Sequence, residues 1–159
     1  MKPYLEFERY GDDNALYRSK TECIISGITT KVVAKGTYRG RHFMIGAHKT
    51  GCPVAYLEVL KKDRYIMNEN PEIRGESLHA VAGGELYGGS DYFGKAYWDR
   101  TDDRLYIGWQ YNHISDFNGF YPEQKDVHKW TITEILMEIS QAAMEMDYEE
   151  YINKNFRYA

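Results

Sequence analysis

His113, Ser115 and Asp116 follow directly on an alternating apolar run, and they are the best furnished part of the chain for chemistry. An imidazole and a carboxylate three residues apart could share a divalent cation or form an orienting pair for general acid–base catalysis. If a sheet brought His79, His48 or Glu58 alongside, the set would suffice for metal-assisted phosphodiester hydrolysis, the metal polarising a phosphoryl oxygen and activating a water. The same residues have a structural reading, in which Asp116 caps a turn and His113 bonds a backbone carbonyl. His42, His48 and His128 have no partner nearby in sequence and are expected to be exposed.

Two further groups are equipped for binding rather than catalysis. Arg39 and Arg41, in Tyr38-Arg-Gly-Arg-His42, could clasp a phosphate or an acidic surface, or could form an ordinary charged hairpin tip. Tyr87, Tyr92, Phe93, Tyr97 and Trp98 form an aromatic group suited to stacking a base or anchoring a partner protein, and Tyr111 extends the Tyr-rich edge beyond the strand. Core and edge packing is the alternative for each of these rings. Near the C-terminus Glu145, Asp147, Glu149 and Glu150 could meet a basic groove or simply face water.

Composition excludes several classes. Apolar residues at 43% and charged residues at 28% of 159 fit one globular domain over residues 1–159. A net charge of −4, from 24 acidic against 20 basic side chains, has the wrong sign for general DNA binding and is too small for a nucleic-acid mimic. No apolar run approaches the ~20 residues of a membrane span, and the N-terminus lacks a signal-peptide core, so a cytoplasmic protein is expected. Cys23 and Cys52 stand in no metal or redox spacing and read as reduced, buried thiols.

Positioning such residues requires strands. Residues 4–10 alternate weakly and end at Gly11-Asp-Asp-Asn14. Residues 21–38 are rich in β-branched side chains and read as two extended pieces divided by Gly27. Arg39-Gly40 forms a hairpin turn between 31–38 and 41–47, and Pro53 starts a third strand whose Val54, Tyr56 and Glu58 share one face and Ala55, Leu57 and Val59 the other. Residues 61–75 form a long charged connection able to act as a lid, and the double glycines at 83–84 and 88–89 make tight turns without the Lys-Ser/Thr of a phosphate loop. Residues 96–99 and 105–109 are two arms around a turn at 100–103, with Leu105, Ile107 and Trp109 on one face, Tyr106 on the other, and Trp98 and Trp109 in the core. Thr131-Ile-Thr-Glu134 is a capping box with Trp130 and Ile135 at the staple positions. Ile132, Ile135, Leu136, Ile139, Ala143 and Met146 then form an apolar stripe, leaving Glu134, Glu138, Gln141 and Glu145 wet. The expected fold is α+β: a curved antiparallel sheet of about five to seven strands within residues 1–130, with a long helix at 131–153 packed on one face.

At Ala82-Gly-Gly84, Ile107-Gly-Trp-Gln-Tyr-Asn-His-Ile-Ser-Asp116 and Trp130-Thr-Ile-Thr-Glu134 the chain resembles a family of small proteins encoded by bacteriophages, prophages and mobile elements of Firmicutes, over about residues 38–146. That family carries a Val-His-Gly-Gly turn, a Gly-aromatic-Asp-x-x-His-x-x-Asp stretch, and an aromatic or basic residue with Thr opening a final helix. Here Ala82 replaces the His and Gln110 the first Asp, while His113 and Asp116 match. A site built on those four positions is therefore half missing, which favours binding over catalysis.

The resemblance implies an anti-defence inhibitor, anti-CRISPR-like, needing no cofactor and binding a host defence protein such as a Cas nuclease or its guide RNA complex; a homodimer is left open. Binding would use Arg39, Arg41, Tyr87, Tyr92, Tyr97, Trp98, Tyr111, His113 and Asp116. One alternative is a metal-dependent nuclease or phosphodiesterase using His113, Asp116, His79 and Glu58 with a divalent metal. Another is a sponge for a nucleotide second messenger.

Overall fold

The computed structural model describes residues 4–63 and 91–152, the last four as backbone only. Among these, six strands form one antiparallel sheet: β1 (Leu5–Arg9), β2 (Thr30–Tyr38), β3 (Arg41–His48), β4 (Pro53–Val59), β5 (Tyr92–Lys95) and β6 (Leu105–Gln110), in the order β1-β2-β3-β4-β6-β5. A seven-residue helix, α1 (Lys20–Ser26), precedes β2, and the 21-residue α2 (Ile132–Ile152) lies across one face. The expected α+β architecture, curved sheet and terminal helix, is the one observed.

The β2–β3 turn places Arg39 at φ 50° and Gly40 at φ 83°, positive at both central residues as a two-residue hairpin with right-handed strand twist demands. Residues 20–26 are helical, not extended. The Ser19 hydroxyl caps them by accepting from the Glu22 N–H at 3.1 Å, and Gly27 closes them in the left-handed conformation at φ 64°. These end signals outweigh the β-branched content, because no neighbouring strand takes the segment up: none of its residues is buried, and Ile24 and Ile25 are exposed. A second correction concerns Ala96, Tyr97 and Trp98, which follow β5 as a turn segment.

The main core lies between sheet and α2. Alternation sends Phe43, Ile45 and Ala47 of β3, Ala55, Leu57 and Val59 of β4, and Ile107 and Trp109 of β6 toward the helix, where they meet Ile132, Ile135, Ile139, Ala142, Ala143 and Met146. The capping box forms as the sequence predicts: the Glu134 N–H donates to the Thr131 hydroxyl at 3.2 Å, and the Thr131 N–H donates back to Glu134 at 3.0 Å. Gly108 sits under the ring of Tyr56, so close that a Cβ would lie 2.4 Å from two ring carbons. Both cysteines are free, Cys52 buried and Cys23 partly so. No described helix is long and apolar enough to cross a membrane.

Candidate functional site

Past β6 the chain turns through His113 and Asp116 into a short bridge, in which the Phe117 N–H donates to the His128 carbonyl and the His128 N–H to that of Ser115. Asp116 is 3% exposed and its carboxylate is occupied. One oxygen accepts from the His113 N–H at 2.9 Å and faces His113 Nδ1 at 3.1 Å, and the other accepts from Trp130 Nε1 at 2.9 Å. This is the turn-capping arrangement, with Trp130 added from the start of α2. Glu58 belongs to a different place. It pairs with Tyr106 across β4–β6, whereas the chain leaves the pair toward His113 at the opposite end, where Val54 meets Gln110. Glu58 instead accepts from the His42 N–H at 3.0 Å and faces His42 Nδ1 at 2.8 Å. His48 lies 2.9 Å from the Thr50 hydroxyl, and burial pushes its imidazole below the usual value. His128, half exposed, reaches Glu134 at 2.7 Å. His79 and Tyr87, with the double glycines, lie outside the described residues. Among the described residues no group of three or more His, Cys, Asp or Glu is placed to hold a metal ion.

Arg41 and Tyr111 belong to the interior rather than to a binding surface. Arg41 has the same strand parity as Phe43 and Ile45, so its side chain enters the core face, fully buried. It donates to both oxygens of the equally buried Asp63, at 2.7 and 3.0 Å, to Asp147 of α2 at 2.9 Å, and to the Glu58 carbonyl at 3.1 Å. Arg39 remains at the surface with its Nε 3.6 Å from Asp147 and its guanidinium 5.5 Å over the Tyr4 ring. Tyr111 is fully buried, accepting from Trp109 Nε1 at 2.9 Å and donating to Glu138. Glu138 is consequently half-buried, not wet, and burial raises its carboxyl above the usual range.

The sheet face opposite α2 carries the polar and aromatic side chains left over from this alternation. Register places Glu6 and Glu8 of β1 against Thr37 and Lys35 of β2, and these against His42 and Met44 of β3. Next come Tyr56 and Glu58 of β4, with Tyr106 and Gly108 of β6 beyond. Ala96, buried, and Trp98, half-buried, fold back over this face in a second apolar cluster with Met44, Val54, Tyr56 and Tyr106. Trp98 lies 4.5 Å from the Tyr56 ring and 5.0 Å from Tyr106, centroid to centroid. Tyr92 and Tyr97 complete the group, the Tyr97 hydroxyl bonded to those of Tyr56 and Thr30 at 2.6 and 2.7 Å. Three of the predicted aromatic set thus come together; Phe93 packs instead on the helix-side core, as its parity in β5 dictates.

Between β1–β3 and residues 98–104 this face leaves a groove of about 1070 Å³. Its walls carry Glu6, Glu8 and Tyr10 on one side and Trp98, Asp99, Asp102 and Arg104 on the other, with Lys35, Thr37, His42, Met44 and Tyr106 between. Four carboxylates face two permanent cations, and Arg104 is already held by Asp102 at 3.3 Å and Glu58 at 3.9 Å. Burial, reinforced by the hydrogen bond to Asp102 at 2.6 Å, pushes the Tyr106 phenol up and keeps it a neutral donor. Burial opposes the Asp102 charge, but the bonds from Tyr106 and Arg104 outweigh it and hold its carboxyl below the usual range. Asp99 is held low by the hydroxyl and N–H of Thr101. The groove is therefore a fixed, aromatic-walled and negatively charged surface, chemically suited to binding. The sequence reading missed it because β1, β3 and the 97–104 turn contribute to it from separate parts of the chain; the even-numbered polar residues of β1 and β3 were the available signal.

Neither a family model, nor a curated protein, nor a solved structure matches this chain.

Proposed function

We propose that this is a non-enzymatic binding protein of phage or mobile-element origin that inhibits a host defence protein, such as a Cas nuclease or its guide RNA complex, by occupying it stoichiometrically. The groove on the open face of the sheet carries the binding part of this reading. It has the volume and the mix of aromatic body and polar groups that recognition sites use, and part of its lining is held by internal bonds, from Tyr106 and Arg104 to Asp102 and from Tyr10 to Glu8. The anti-defence part rests on the resemblance of residues 107–116 and 130–134 to the phage family. The His113–Asp116 pair supports the same reading, since a carboxylate committed to three donors serves as a turn cap rather than as a base. A nucleotide sponge is less well supported, because phosphate would meet four carboxylates in the groove.

The test is titration of the purified protein into a guide-loaded Cas nuclease. The reading expects an equimolar complex on size-exclusion chromatography and loss of target cleavage that is complete at equivalence and indifferent to EDTA. Inhibition at far below equimolar protein, abolished by EDTA and by His113→Ala, would replace it with the metal-dependent nuclease.

A further inference from the structure

We infer that the groove takes an extended, basic segment of the partner protein, one in which Lys or Arg residues stand next to each other in sequence. This rests on the binding reading above and adds the chemistry of what is bound. The two walls carry the same sign: Glu6 and Glu8 on β1, Asp99 and Asp102 on the 98–104 segment. Along an extended chain successive side chains point to opposite sides, so adjacent basic residues reach the two acidic walls at once; a helix would turn them away from one wall. The half-buried Trp98 on the second wall suits a guanidinium, which stacks on a ring face while donating to a carboxylate at its edge.

The groove's own cations do not cancel this field. Arg104 is already paired with Asp102 and Glu58, and Lys35, 5.9 Å over the Tyr10 ring, also favours the Asp99 charge, so the four wall carboxylates still outnumber the two cations. Glu6 is exposed, and Asp99 has its charged form favoured by Thr101, so both walls present carboxylates to an incoming cation. An anionic strand of RNA or an acidic peptide would meet repulsion on both sides.

The experiment is fluorescence anisotropy with the whole protein and three labelled probes: an octapeptide of alternating Arg and Lys, its all-Glu counterpart, and an oligouridylate of equal length. The basic peptide is expected to bind and the other two not to. Glu6→Gln combined with Asp99→Asn is expected to weaken it about tenfold, and Met137→Gln on the outer face of α2 to leave it unchanged. Trp98→Ala should weaken it further, circular dichroism confirming that this variant keeps its fold. Binding of the acidic peptide or the oligouridylate as tight as that of the basic one, or basic-peptide binding that survives Glu6→Gln/Asp99→Asn, would overturn the inference. An equimolar nuclease complex that tolerates the same double variant would leave the inhibitor reading standing and sink this one; peptide binding without any complex would do the reverse.

Discussion

Arg41 and Asp63 face each other with both side chains wholly removed from solvent, joined by two parallel hydrogen bonds of 2.7 and 3.0 Å. The pair ties the start of β3 to the chain just beyond β4, and through Asp147 to the far end of α2. Asp63 also accepts from the Leu60 N–H at 2.6 Å, so the carboxylate shapes the turn that leaves the sheet. Removing Arg41 strands the Asp63 charge in the interior, and removing Asp63 leaves the buried Arg41 with Asp147 as its remaining counter-charge. Arg41→Met or Asp63→Asn should each destabilise the protein by about 3–5 kcal/mol, read from urea denaturation. The double replacement Arg41→Met/Asp63→Leu should cost clearly less than the two single losses added together.

Asp147 and Glu138, on the same helix, should give stability opposite pH dependences. Burial opposes the Asp147 charge, but the hydrogen bonds from Arg41 and Lys62 outweigh it and hold its carboxyl below the ordinary value. Its contribution is therefore present above the unfolded value and lost as pH falls through the folded one. For Glu138 burial is the largest influence and raises the carboxyl, so its contribution is greatest when protonated and declines as pH rises from the unfolded toward the folded value. Thermal melts between about pH 3 and pH 7 should show Asp147→Asn flattening the acid limb and Glu138→Gln gaining on the parent as pH rises.

Asp116→Ala should destabilise by about 1–3 kcal/mol, because the His113 N–H and Trp130 Nε1–H lose their acceptor in a nearly closed site. His113→Ala should cost less, since that imidazole is 38% exposed. Chemical denaturation of the two variants side by side measures the difference; equal losses would mean that the imidazole, not the turn, is the point of support.

Gly108→Ala should cost about 1–3 kcal/mol, as the new methyl group meets the Tyr56 ring and must displace it from its place beside Trp98. Displacement of that ring also changes a groove neighbour, so near-ultraviolet circular dichroism should lose aromatic intensity while the far-ultraviolet spectrum stays.

Much of the fold was legible because its signals are local. The alternation of Val54 to Val59 assigned each side chain its face, Arg39-Gly40 announced a two-residue hairpin, and Thr131-Ile-Thr-Glu134 marked the start of α2. Where two local signals conflicted, as in residues 20–26, composition pointed to strand but the capping residues Ser19 and Gly27 decided for helix. A peptide segment left unpaired by the sheet satisfies its backbone groups within itself.

The site was less legible, and the reason lies in what alternation leaves unsaid. Parity alone could have sent Arg41 and Tyr111 inward with Phe43 and Trp109, yet their residue types suggested surface, since a lone Arg is rarely buried without partners. Those partners, Asp63, Asp147 and Glu138, stand 22, 106 and 27 residues away.

By itself, then, the sequence determined most of the elements, the face that β4 and β6 turn to the core and the helix that covers it, because those depend on neighbours one to four positions apart. Only the tertiary structure decided which charges neutralise one another and which are left to line an open groove, because pairing across a sheet joins residues through space without regard to their separation along the chain.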